Sequence, residues 1–428
     1  MTSDNVSIEH AHQLRGVVRV PGDKSTSHRA LMISALADGT SRIEGLSTGN
    51  DVASSAMIME QLGAHVERDG SVVFVTGPEE GLRAAIAPLD CGNSGTTMRL
   101  LTGLVSSIHG DHDLVGDASL SQRPMDRVAI PLELMGALVQ GRGKSVTAPL
   151  HVQGRSTLRA IDYHVPHASA QVKSSILFAG LVAQGVSSVL EDVRTRSTTE
   201  DMFRSAGINV ESDDVAQGRR VTLHPGRPEA CHWTVPGDPS QAAFFCVLGA
   251  VHRDAVLNII DIDASPERTG FVGVLQRMGA TIESEHRGTH LSLAVSSSAL
   301  VATEIHSREI PSVDEVPILV VAASAATGVS AFRQMSELRI KESDRFEGSM
   351  ELSRRLGCRV WSDGDDFFVE GIGGAEKFST FEIDAELDHR MVMAAAVAGS
   401  AGSGCRIAGS ATVASSYPHF FGDLAALQ

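Results

Sequence analysis

MIMEQLGAHVERDGSVVFVTG, residues 57–77, holds a helix-period run, a glycine, a polar hairpin and a short alternating strand. The same order returns in PLELMGALVQGRGKSVTAPLHVQG (131–154), DMFRSAGINVESDDVAQGRRVTLHPG (201–226), VGVLQRMGATIESEHRGTHLSLAV (272–295) and MELSRRLGCRVWSDGDDFFVEG (350–371). The marker glycines Gly63, Gly136, Gly207, Gly279 and Gly357 lie 71 to 78 residues apart. Each is expected just past a helix end with φ > 0, a conformation that costs other residues energy. A sixth marker would fall just beyond Gln428. The final FFGDLAALQ therefore reads as a sixth helix whose strands come from elsewhere, the stretch from His12 to Val20 being the candidate.

A second kind of segment also occurs six times, beginning STSHRALMISALADG at Ser25, SGTTMRLLTGLVSSIHG at Ser94, SAQVKSSILFAGLVAQG at Ser169, DPSQAAFFCVLGAVHR at Asp238, DEVPILVVAASAATG at Asp314 and DHRMVMAAAVAGSAGSG at Asp388. These runs are apolar nearly all round and rich in Ala, Gly and Ser, the pattern of buried helices that pack closely. Each starts with a polar or charged cluster. Buried helices with polar N-termini aim positive dipole ends at one region, which suits anions.

Six units of this length, in a chain of 428 residues, divide into two groups of three. VPGDKS at Val20 has its mirror in VPGDPS at Val235, and these turns are expected to be two crossovers between domains. The expected domains are a continuous 21–237 and a discontinuous 1–20 plus 238–428. The formal net charge of −16 disfavours general binding of nucleic acid or anionic membranes. The N-terminus has no apolar signal-like run, and no stretch of the chain is long and apolar enough to span a bilayer. Five scattered cysteines without a CxxC pair or Cys/His cluster suit a reducing cytoplasm and no structural metal.

The clusters that carry chemistry are individually modest. VPGDKSTSHRAL places Lys24, Ser25 and Arg29 around a helix start, where a capped surface helix is the plain alternative. CGNSGTTMR is a Gly-rich turn entering a helix, with Asn93, Gly95, Thr96 and Arg99; it is neither a Walker A nor a dinucleotide fingerprint. Arg123 and Arg127 in GDASLSQRPMDR offer planar bidentate contacts to phosphate or carboxylate, or are a solvated face. Lys173 in SAQVKSS sits in an apolar segment, which costs desolvation unless an anion partners it. Asp314 in VDEVP is either a helix cap or a general base. ELRIKESDR alternates Glu337, Arg339, Lys341, Glu342, Asp344 and Arg345, as an exposed salt-bridge ladder also would. His389 and Arg390 open a buried helix. Cationic clusters at equivalent points of several repeats in an acidic chain point to a polyanionic small molecule.

In order, KSTSHR, GNSGTTMR, RPM, SAQVKS, DEVP, ELRIKESDR and DHR closely resemble the 5-enolpyruvylshikimate-3-phosphate synthase family of enolpyruvyl transferases over essentially the whole chain. The resemblance implies an α/β fold of two domains, six βαβαββ repeats with three per domain, helices inside and sheets outside. It implies transfer of the enolpyruvyl group of phosphoenolpyruvate to the 5-hydroxyl of shikimate 3-phosphate, in aromatic amino acid synthesis. No cofactor or metal is implied. A cytoplasmic monomer is expected, with glyphosate as a candidate inhibitor.

Carried over by motif position, Asp314 is the base, and Glu342 and Lys24 are the candidates for proton transfer at the enolpyruvyl carbon. Phosphoenolpyruvate falls to Lys24, Asn93, Gly95, Arg123, Gln171, Arg345 and Arg390. Shikimate 3-phosphate falls to Ser25, Arg29, Ser169, Ala170, Gln171, Arg196, Asp314 and Lys341, with Thr96 and His389 in support. GNSGTT and SAQVKS are similar to the often glyphosate-tolerant bacterial branch. Ser415 stands where many relatives carry Lys, and Thr198 where they often carry His or Tyr. The rivals are a UDP-N-acetylglucosamine enolpyruvyl transferase, which would start with Lys-Asn and use a loop Cys, and an RNA 3′-phosphate cyclase-like protein. Two Trp and two Tyr offer the latter few stacking platforms.

Overall fold

The computed structural model describes residues 5–428. The chain divides into two compact units: Lys24–Val235, and the chain up to Asp23 joined to Pro236–Gln428. Each has its own hydrophobic core.

The Lys24–Val235 unit carries three four-stranded sheets. In the first, Thr40–Glu44 lies between a parallel edge strand, His232–Thr234, and an antiparallel hairpin, His65–Asp69 with Val72–Thr76. The second repeats this with Leu89–Asp90, Gly110–Val115, Thr147–Gly154 and Leu138–Arg142. The third uses Asp162–Val165, Ser187–Glu191, Gly218–Leu223 and Val210–Val215.

The other unit repeats the plan. Its sheets are centred on Ala255–Asp263, Thr327–Arg333 and Cys405–Ala408. Here the structure corrects the expectation for the last repeat. Leu14–Val18, inside the His12 to Val20 stretch, pairs in parallel with Ala255–Asp263 and completes the fourth sheet. The strand that completes the sixth is Asn5–Ile8, antiparallel to Cys405–Ala408. Phe420–Ala425 forms the short terminal helix.

Six inner helices underlie these sheets: Lys24–Leu36, Gly95–Ser106, Ala170–Gly180, Pro239–Val251, Val316–Ala325 and His389–Ala401. Every residue of the last three is buried. Sheet strands alternate accordingly, as in His290–Ser296, where each second side chain enters the core. Small residues make this density possible. A Cβ on Gly103 would stand 2.1 Å from the carbonyl oxygen of Ser175, so the Gly95–Ser106 and Ala170–Gly180 helices touch backbone to backbone there. The marker glycines have φ between 78° and 107°, the left-handed turn that ends each outer helix.

The two VPGD turns lie side by side. Gly22 bridges Gly237, the Asp23 N–H donates to the Pro236 carbonyl at 2.7 Å, and the Asp238 N–H donates to the Pro21 carbonyl at 2.9 Å.

Candidate active site

In each unit the N-termini of the inner helices adjoin, and the sequence motifs meet there. In the Lys24–Val235 unit, Lys24 opens its helix and pairs with Asp51 at 2.9 Å. The Arg196 guanidinium donates to the Ser25 hydroxyl at 3.2 Å. Arg29, almost wholly buried, donates to Thr199 Oγ1 (2.6 Å), Ser174 Oγ (2.7 Å) and the Ser25 carbonyl (2.9 Å). Ser94 caps the Gly95–Ser106 helix through the Thr97 N–H, and Ser169 caps the Ala170–Gly180 helix through the Val172 N–H.

Gln171 links those two helix starts. Its amide nitrogen donates to Thr96 Oγ1 and its oxygen accepts from Arg99, both at 2.9 Å. Arg123 donates to Asn93 Oδ1 at 2.9 Å, and Asn93 in turn donates to Asp117 at 2.6 Å. Gly95 leaves space in this group: a Cβ there would stand 3.0 Å from Arg99 Nη1 and 3.1 Å from Arg123 Nη1. Lys173 belongs to another arrangement. It is fully buried between Glu191 (2.8 Å) and Glu200 (2.7 Å), both also buried, so its anion is internal.

The second unit gathers Asp314, Lys341, Glu342, Arg345, His389 and Arg390. The Val316–Ala325 helix has no side-chain cap, so Asp314 is not capping it. Its carboxylate instead faces Arg345 at 3.0 Å, Arg390 at 3.5 Å and Lys341 at 3.8 Å. Arg345 is fully buried and also grips Asp388 (2.7 Å) and Glu342 (2.6 Å). Asp388 caps the His389–Ala401 helix through the Arg390 N–H, and His389 is buried beside it. ELRIKESDR is no exposed ladder: a 3-10 turn, Ser336–Ile340, leads to a separate helix, Arg345–Arg355, capped by Asp344. Arg339 lies 3.8 Å over the Phe346 ring.

The charges set the protonation states. Burial opposes ionisation of Asp314, but the positive charges of Arg390, Lys341 and Arg345 outweigh it and hold the carboxyl well below the usual range. Asp388 is likewise buried and likewise lowered, through Arg345. Burial works against the charge on Arg345, yet Asp388, Glu342 and Asp314 raise its pKa further. Val313, before Asp314, and Glu386 and Leu387, before Asp388, all have φ between 49° and 61°. Strained backbone at both helix mouths is what an over-determined site holds in place.

Asp51, Asp117 and Asp388 are site partners that the motif reading did not assign. Each lies far in sequence from the cation or amide it holds, and a lone Asp carries no periodic signal. Thr198 starts the Thr198–Ser205 helix, and Ser415 ends the Ser410–Ser415 turn. Among the described residues, no group of His, Cys, Asp or Glu could hold a metal ion, and no helix is long and apolar enough to cross a membrane.

Residues 8–424 match the family model of EPSP synthase (3-phosphoshikimate 1-carboxyvinyltransferase). The chain belongs to the EPSP synthase family. A 3-phosphoshikimate 1-carboxyvinyltransferase of Gloeobacter violaceus is 43% identical over 98% of both chains. One from Synechococcus sp. (strain RCC307) is 41% identical over 99% of both. The solved EPSP synthase of Acinetobacter baumannii superposes with a TM-score of 0.85 at 36% identity, covering 99% of this chain and 98% of that one. The enolpyruvyl transferase NikO of Streptomyces tendae shares the fold, with a TM-score of 0.78 at 19% identity.

Proposed function

We propose that the protein transfers the enolpyruvyl group of phosphoenolpyruvate to the 5-hydroxyl of shikimate 3-phosphate and releases phosphate. The observation that carries this reading is the Asp314 carboxylate, kept ionised at a helix mouth by Lys341, Arg345 and Arg390. Both substrates bear a phosphate and a carboxylate, and the two clusters supply the guanidinium and ammonium groups that bind such anions.

The chemistry is an addition followed by an elimination. Asp314 takes the proton of the 5-hydroxyl as its oxygen attacks C2 of phosphoenolpyruvate. Glu342 or Lys24 delivers a proton to the C3 methylene, giving a tetrahedral intermediate. Loss of a C3 proton then expels phosphate and restores the double bond. Lys24, Asn93, Gly95, Arg123, Gln171, Arg345 and Arg390 hold phosphoenolpyruvate. Ser25, Arg29, Ser169, the Ala170 backbone, Gln171, Arg196, Asp314 and Lys341 hold shikimate 3-phosphate, with Thr96 and His389 in support.

A carboxylate pinned so far below its usual range is a weak base. Substrate anions that engage Lys341 and Arg390 share those positive charges and raise the Asp314 pKa when the base is needed. Under the same reading the protein works as a cytoplasmic monomer, with glyphosate as a candidate inhibitor. The test is phosphate release on mixing the protein with both substrates. Release only with a UDP-sugar acceptor would overturn the reading; the 116–127 stretch around Arg123 contains no cysteine to support that rival.

A further inference from the structure

Arg268 lies between the Ala255–Asp263 strand and the Gly270–Arg277 helix, outside every motif above. Its side chain is 5% exposed. Its Nη2 reaches Asp23 Oδ2 at 2.8 Å, Asp238 Oδ1 at 2.6 Å and the Ser240 hydroxyl at 3.3 Å. Asp23 and Asp238 stand at the same place in the two VPGD turns, so one guanidinium ties both turns together. Asp238 also caps the Pro239–Val251 helix through the Ser240 N–H at 2.9 Å. The Ser240 hydroxyl donates to Glu315 Oε1, whose other oxygen accepts from Ser312 Oγ at 3.0 Å. Ser312 offers its carbonyl to Lys341 at 3.0 Å.

We infer that Arg268 is a positioning residue for enolpyruvyl transfer, fixing through Asp23 and through Ser240–Glu315 the chain neighbours of Lys24 and Asp314. Asp23 precedes Lys24 directly, and Glu315 follows Asp314 directly. A guanidinium suits this task because its rigid plane fixes the one nitrogen, Nη2, that meets Asp23, Asp238 and Ser240, whereas an ammonium swings on a flexible stem. Burial adds leverage. Arg268 faces Asp23, Asp238, Glu315 and Asp263, and burial together with the Asp23 charge pushes the Asp263 carboxyl up. The guanidinium therefore holds together acids that would otherwise repel one another. Arg268 makes no direct hydrogen bond or ion pair with Lys341, Arg345 or Arg390 and reaches Lys341 only through Ser240, Glu315 and the Ser312 carbonyl, so its effect falls first on the placement of reacting groups and less on ground-state grip.

The inference rests on the proposed reaction, and wild-type turnover of the two substrates is its entry control. No wild-type turnover would fault the reaction, whereas wild-type turnover with silent variants would fault Arg268 alone. Two variants are compared. Arg268→Lys keeps the charge and loses the planar group that places Nη2. Ser240→Ala keeps every charge and breaks the link to Glu315. Both are expected to lower kcat by about tenfold or more, since a misplacement of about 1 Å costs up to about 100-fold. The Kd for shikimate 3-phosphate, read by calorimetry, should stay within about twofold, and the double variant should lose less than the product of the single losses. A purely structural Arg268 would lower Tm and leave kcat per folded molecule intact, which overturns the inference. If Arg268→Lys does not fold, Ser240→Ala decides: a wild-type kcat there also overturns it.

Discussion

Lys173 and Arg345 are both fully buried cations, each held by more than one carboxylate, yet they sit in opposite kinds of place. Around Lys173, Glu191 and Glu200 are sealed from solvent. Around Arg345, Asp388 is sealed, but Asp314 is 23% and Lys341 25% exposed. The first group is closed to any anion from outside. The second is open on one side, so its cations can change partners. Burial of charge alone therefore does not mark a site; burial with one part-exposed carboxylate does.

The comparison breaks most visibly through Lys173→Met. Two buried carboxylates lose their cation, which should cost about 3–5 kcal/mol of unfolding free energy in a denaturant titration. The kcat of the folded fraction should remain near wild type. A variant with wild-type stability, or one that is stable but inactive, would remove the contrast. Asp314→Ala tests the open group. Loss of a general base should reduce kcat by roughly 10²–10³-fold, about 3–4 kcal/mol of barrier. Shikimate 3-phosphate should still bind, because Lys341 and the Ser25, Arg29, Ser169 and Arg196 contacts remain. An unchanged kcat would end the role given to Asp314. Lys341→Met sharpens the picture on the binding side. Removing one charged contact should weaken shikimate 3-phosphate by about 1–2 kcal/mol with little loss of stability; calorimetry and a thermal melt together measure both.

Much of this was legible in the chain. Gly63, Gly136, Gly207, Gly279 and Gly357 mark the repeat because a φ > 0 helix exit leaves few alternatives to glycine. The inner helices announce themselves because burial on all sides demands apolar or small residues on all sides. The strand that closes the sixth sheet was misplaced for a physical reason. Asn5–Ile8 is a four-residue edge strand with only alternating partial burial, a weaker pattern than the LRGVV of Leu14–Val18. Lys173 could be read as needing an anion, but nothing local said that Glu191 and Glu200 would supply it. Asp51, Asp117 and Arg268 were silent for the same reason, and Asp388, visible as the head of DHR, gave no sign of Arg345: their partners come from distant positions, and pairing across such distances is a product of the fold.

The smallest expected effect is the response of the open group to pH. Asp314 and Asp388 have folded pKa values below their unfolded ones. Such groups stabilise the fold fully above the ordinary carboxylate range, and that contribution is lost as pH falls through their lowered folded values. Between pH 8 and 5 they should therefore leave stability unchanged. Turnover should behave differently. If substrate anions draw on Lys341 and Arg390, Asp314 titrates higher in the ternary complex than in the free protein. The acid limb of kcat, which reports the complex, should then lie at higher pH than that of kcat/KM, which reports the free enzyme. Coincident limbs would mean that the open cluster keeps its partners on binding, and Arg345 would then be as closed a device as Lys173.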